Sequence, residues 1–234
     1  MTEEKKKTLF GTKSGRALFI ICVVGGILAT ALALFIYSGA GRDRTIIFNK
    51  SLDLQVMTVD DTAFTLEDVA FYIAYEEMKV EEDANVYDST DTNRYWNLHI
   101  NGEFVRTAAK QHVLDMAVHD YIFDSEAEKR GISLDGDELY TVECRTTDFF
   151  EDMTAEQAEK LGVSEERIEE TIRNIALAEK CQSAISEERD ILYENLSVGG
   201  ADYEEMLGEH EVVVEAVWEK VRVGNIILEH EAWY

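Results

Sequence analysis

The stretch that most constrains the fold is residues 101–131, NGEFVRTAAKQHVLDMAVHDYIFDSEAEKRG. It runs for about thirty residues without proline, and Gly131 supplies the left-handed stop expected just past a helix end. Between Val113 and Phe123 only Asp115, His119 and Asp120 are polar. At 100° per residue, the apolar side chains there go round most of the helix instead of forming one stripe. Such a helix has to be covered on several sides. The three polar residues and the charges that follow exclude a membrane span. The segment is therefore expected to be the central helix of a soluble helical domain, with the downstream chain packed on it.

Composition agrees with long helices. Proline is absent, where average usage of about 5% predicts about a dozen. With 46% apolar residues in 234, the chain can bury a core, so disorder is excluded. Charge is unevenly spread. Residues 1–44 hold 7 of the 22 Lys/Arg and 3 of the 48 Asp/Glu, which leaves a net charge of −30 on the rest. That remainder repels nucleic acid, so no nucleic-acid partner is expected.

The amino terminus reads as an anchor. Residues 1–16 form a basic tail with Lys5, Lys6, Lys7, Lys13 and Arg16. Residues 17–37 carry no charge, and 21 residues span roughly 31 Å, enough to cross the hydrocarbon core. The basic flank places the tail in the cytoplasm and the rest outside, so residues 17–38 are expected to be a single-pass plasma-membrane anchor. A cleaved signal peptide is the competing reading, with Ala29, Ala31 and Ala33 as small residues near a cleavage site. Its apolar region should be only 7–15 residues, which favours the uncleaved anchor. Residues 39–50 form a linker, and residues 51–234 the extracytoplasmic domain.

Within that domain, residues 54–59 alternate as a strand and Asp60 and Asp61 turn the chain. Thr65 and Asp68 form a capping box for a helix with Leu66, Val69, Ala70 and Ile73 on one face. Phe71, Tyr75 and Met78 lie on a second face of the same helix. Residues 83–97 are a polar connector ending in Tyr95 and Trp96. Ser133 opens a helix to about Asp152, and Thr154 with Gln157 caps a short one ending at Leu161 and Gly162. Ser164 opens a longer helix carrying Ile168, Ile172, Ile175 and Ala176, which continues to about Asn195. Gly199 and Gly200 break it. A helical turn at 203–207 and a strand at 212–214 follow, the strand positioned to pair with 54–59. The tail at 218–228 is half helix and half strand.

No catalytic motif accompanies these elements. Gly-x-Ser-x-Gly is absent, Cys144 has no activating pattern, and acidic pairs such as Glu165/Glu166 and Glu204/Glu205 read as solvated helix faces. Cys144 and Cys181 read as two thiols of the folded domain, not as a pair stapling it. His112, Asp115 and His119 are spaced to face one another on the central helix, yet nothing around them completes a metal site. They read as structural polar groups, with His119 satisfied by Asp115. No catalytic, metal or cofactor residues are therefore expected. The candidate binding residues are Phe71, Tyr75, Met78, Tyr95 and Trp96, aromatic and thioether groups that either line an apolar groove for extended polypeptide or pack the core.

Three phrases together, FTLEDVAFYIA, AKQHVLDMAVHDYIFDSEAEKRGISLDGDEL and AEKLGVSEERIEETIRNIALAEK, with the Tyr-Trp connector between the first two, resemble the N-terminal chaperone domain of SurA-like and PrsA-like foldases. The resemblance covers about residues 54–182. It implies a mainly α fold with a small β element from the N- and C-terminal strands, following the membrane anchor. It also implies a protein that holds unfolded secreted or envelope polypeptides. These foldases carry parvulin prolyl-isomerase domains, whereas only about fifty residues follow Lys180 here, without a parvulin-like His or Gly-Gly-Leu-Gly. The expected function is a membrane-anchored extracytoplasmic chaperone that is not itself an enzyme. A structural or assembly subunit of an envelope complex is the alternative, and a vestigial isomerase comes third.

Overall fold

The computed structural model describes residues 46–233. The expected tail, the anchor and most of the linker lie outside the described residues. Among those described, no helix is long and apolar enough to cross a membrane. The chain runs β1 (Gln55–Val59), β2 (Thr62–Thr65), α1 (Ala70–Asp88), α2 (Thr92–Trp96), β3 (His99–Ile100) and β4 (Glu103–Phe104). It continues through α3 (Val105–Arg130), α4 (Gly136–Glu151), α5 (Ala155–Leu161), α6 (Glu165–Arg189), α7 (Ala201–Leu207) and β5 (Val212–Val214). The domain is mainly α, with a three-stranded antiparallel sheet in the order β2-β1-β5.

Helix α3 occupies the centre. Its buried residues, among them Ala109, Val113, Leu114, Val118, Ile122 and Phe123, are distributed round the helix. It packs against α6 and α1, with α2 beside its start. On a further side Phe123 stacks on Tyr203 of α7, and Tyr121 meets Phe64 of β2 edge to face. Gly131 ends the helix at φ 67°, and Ile132 N–H closes back on the Ala127 carbonyl at 2.9 Å. A left-handed cap of this kind satisfies the carbonyls a helix end leaves open.

Several local signals act as read. Thr154 and Gln157 form a reciprocal capping box, Gly162 ends α5 in the left-handed region, and Ser164 caps α6. β5 pairs with β1, Met57 opposite Val214 and Val59 opposite Val212. Other elements differ. Thr65 and Asp68 do bond reciprocally, but the residues after them form turns and α1 begins only at Ala70. Its preceding segment pairs with β1 as the unforeseen strand β2. The stretch read as a polar connector is the continuation of α1 to Asp88, then α2, capped by Asp91. Asp135, not Ser133, caps α4, through a capping box with Glu138. α6 stops at Asp190, whose φ of 54° is left-handed, well before Gly199. The last linker residues belong to the domain, since Phe48 is buried and Asn49 Nδ2 donates to the Glu159 carbonyl at 3.0 Å.

The carboxyl-terminal segment is irregular yet firmly laced down. Glu77 is fully buried and its carboxylate accepts four backbone N–H groups, from Gly224, Ile226, Ile227 and Leu228, at 2.6–3.1 Å. Arg106 donates to the carbonyls of Val223 and His230 and lies over the Trp96 ring. Glu81 accepts from Trp96 Nε1 at 3.0 Å and from His230 Nε2 at 2.7 Å. Gly224, at φ 88°, passes so close that a Cβ there would fall 2.5 Å from Arg106 Nη1 and 2.8 Å from Trp96.

Candidate binding clefts around Tyr75

The structure separates the five candidate residues. Trp96 is completely buried, held between Glu81, Arg106 and the carboxyl-terminal segment, and has no face to offer a client. Phe71 is 8% exposed, its ring 5.0 Å from Phe149 of α4, so it belongs to the core. Tyr95 is half-buried against Tyr87, apart from the others. Tyr75 and Met78 remain together at the surface. Tyr75 is 43% exposed and stacks on Phe71 at 6.0 Å, a rigid aromatic outcrop resting on the core.

Helix α1 explains this arrangement. From Ala70 to Ala74 every side chain is buried, and Tyr75 is the first exposed position. A helix clasped on several sides has no simple amphipathic stripe, so the second face read from sequence is covered at Phe71 and open at Tyr75.

Tyr75 stands between two clefts. One, about 470 Å³, lies among α1, α3, α4 and α6 and is lined by Phe71, Tyr75, His112, Met116, Ile175 and Tyr193. The other, about 360 Å³, is lined by Tyr75, Met78, Lys79, Glu82, Asp152 and Leu228. Met116, in the apolar stretch of the central helix, is half-buried because it faces the larger cleft. Polar groups frame the apolar floor. His112 Nδ1 donates to the buried Glu76 carboxylate at 2.8 Å, and Arg145 donates to Glu179 at 2.9 Å. Of the lining groups, Met116 was legible as an apolar position of the central helix. Ile175 and Tyr193 come from distant segments, and no sequence signal joined them to Tyr75.

The histidines do not converge. His119 binds Asp120 at 2.9 Å and the Leu196 carbonyl at 3.0 Å, while Asp115 accepts from Gln111 at 2.7 Å. The expected His119–Asp115 pair is thus replaced by a neighbour in sequence. Among the described residues no group of three or more His, Cys, Asp or Glu side chains is placed to hold a metal ion. Cys144 and Cys181 are free thiols, and burial pushes the Cys181 thiol up. The clefts offer flat aromatic and flexible thioether surface with hydrogen-bonding groups at the rim, a chemistry suited to holding side chains of an extended chain.

No family model, curated protein or solved structure matches this chain.

Proposed function

We propose that this protein is a membrane-anchored extracytoplasmic chaperone that holds non-native secreted or envelope polypeptides and has no isomerase activity of its own. The observation that carries the reading is Tyr75, a large aromatic group exposed between two apolar-floored clefts and braced from beneath by Phe71. Sequence-tolerant holding calls for modest apolar contacts that can be released, and Met78 and Met116 supply adaptable surface beside the aromatic ring. Strong acidity keeps a holder and its cargo dispersed. The resemblance of residues 54–182 to SurA- and PrsA-like chaperone domains supports the same reading, and the basic flank of residues 17–38 supports the outward topology.

An assembly subunit with one fixed partner is the second reading. It draws on the Glu76–His112 and Arg145–Glu179 pairs at the larger cleft, which reward one partner geometry over others.

The full-length chain should slow aggregation of an unfolded client, followed by light scattering, without accelerating prolyl isomerisation. Replacing Tyr75 and Met78 together by Ser should weaken holding severalfold while the melting temperature moves little. Unaltered holding by that double variant would remove the Tyr75 clefts from the account.

A further inference from the structure

Among the described residues strand β5 has a neighbour on one side only, because it ends the order β2-β1-β5. Glu215 N–H bonds the Val56 carbonyl, and Asp60 N–H bonds the Glu211 carbonyl, both at 2.8 Å. These bonds turn the backbone groups of residues 211, 213 and 215 toward β1, and in an antiparallel ladder alternate residues face the other way. The N–H and C=O groups of Val212 and Val214 therefore point to the open edge. No hydrogen bond among the described residues takes them up. Val212, Val213 and Val214 are 37, 45 and 47% exposed.

An apolar cavity of about 430 Å³ adjoins this edge, lined by Leu114 and Val118 of α3, Tyr203 and Leu207 of α7, and Val212 and Val214 themselves. Proteins ordinarily guard a free edge with lysine, proline or a cover. Here valines stand at the exposed positions and a cavity lies beside them. A strand added to such an edge gains main-chain bonds from it and a recess for its alternate side chains.

Charge selects the occupant. Asp115 and Glu204 line the cavity, which has no Lys or Arg in its wall, and Glu211 and Glu215 bracket the strand. A second copy of this chain would set those carboxylates against their own counterparts, within a net charge of −26. A segment with basic flanks meets them with opposite charge. We propose that β5 receives, by strand addition, an extended polypeptide segment of alternating β-branched apolar residues flanked by Lys or Arg. This goes beyond the cleft reading and uses none of the groups named for it, so either can fail alone.

The test is fluorescence anisotropy of the full-length chain with a labelled peptide of sequence KKVTVTVKK. Binding should saturate, and exchanging the four lysines for glutamates should weaken it at least about tenfold. Methylating alternate peptide amides should abolish binding in one frame and spare it in the other, since only one set of amides faces β5. Val214→Pro removes an outward N–H without touching the ladder to β1 and should weaken binding about tenfold or more. Val212→Lys keeps the backbone donor but places a cation at the cavity mouth; it should also weaken binding, and it decides the matter if Val214→Pro lowers the melting temperature. Equal binding by both methylated frames, equal binding of the glutamate peptide, or wild-type affinity in the folded variants would overturn the proposal. So would self-association by sedimentation that Val212→Lys abolishes, which would make a second copy the occupant.

Discussion

Glu77 illustrates how one residue organises a segment far away in sequence. Burial pushes its carboxyl up to about 7, against the pull of four backbone N–H donors from residues 224–228. Because the folded value lies above the ordinary 4.5, the folded protein binds this proton more tightly than the unfolded chain does. The stability from that difference is fully present below about pH 4.5 and is lost as pH rises through about 7, some 3 kcal/mol in all. Surface acidity adds a slope of the same sign, so the comparison must be with a variant. Glu77→Gln stays neutral at every pH and sets an amide NH2 against two of the four donors, so it should be less stable than the wild type at pH 5, by about 1–2 kcal/mol. The gap from the wild type should narrow toward pH 8. Urea unfolding at several pH values measures this, and parallel pH profiles would show that Glu77 is not the titrating group. None of it was legible in advance. Glu77 sits in a chain rich in acidic pairs, and only the return of residues 224–228 distinguishes it from a solvated glutamate.

At the scale of elements, legibility followed local chemistry. Gly131, Gly162, Ser164 and the Thr154/Gln157 box each act through neighbours within a few residues, so sequence alone placed the helix ends they control. The β1–β5 pairing was legible from alternation and β-branching. By contrast, the last six residues of α1 and all of α2 read as a polar connector, because their exposed faces are rich in Asp and Asn while their few apolar anchors, Ala84 and Trp96, are buried. Turn residues at Asn101 and Gly102 separate the two short strands of the hairpin before α3, too brief to show alternation. Within α3 two residues of the apolar stretch, Phe123 and Met116, differ in environment. Phe123 is fully buried, so Phe123→Ala should cost about 3–5 kcal/mol. Met116 borders the larger cleft, so Met116→Ala should cost no more than about 1–2 kcal/mol. Denaturation midpoints of the two variants provide the check, and equal losses would mean that the cleft beside Met116 is closed.

Across the whole molecule, the central-helix architecture was readable because an all-round apolar helix admits few environments, and α1, α6, the sheet and α7 supply them. The candidate site was readable only in part. Sequence grouped five aromatic and Met side chains, and the structure keeps Tyr75 and Met78 at the surface while drawing Phe71 and Trp96 inside. Helical spacing cannot reveal which of two apolar faces a distant segment will cover; Phe149 and the carboxyl-terminal segment decide it here. The proposed function puts varied exported chains against Tyr75 on the outer side of the membrane. Its most direct test places a photoreactive amino acid at position 75 of the full-length chain in intact cells, with exposed Tyr140 as the control position. Light-dependent adducts with many unrelated exported polypeptides are expected from position 75 and few from position 140. Adducts with one stoichiometric partner, with cytosolic proteins, or equally from both positions would contradict it.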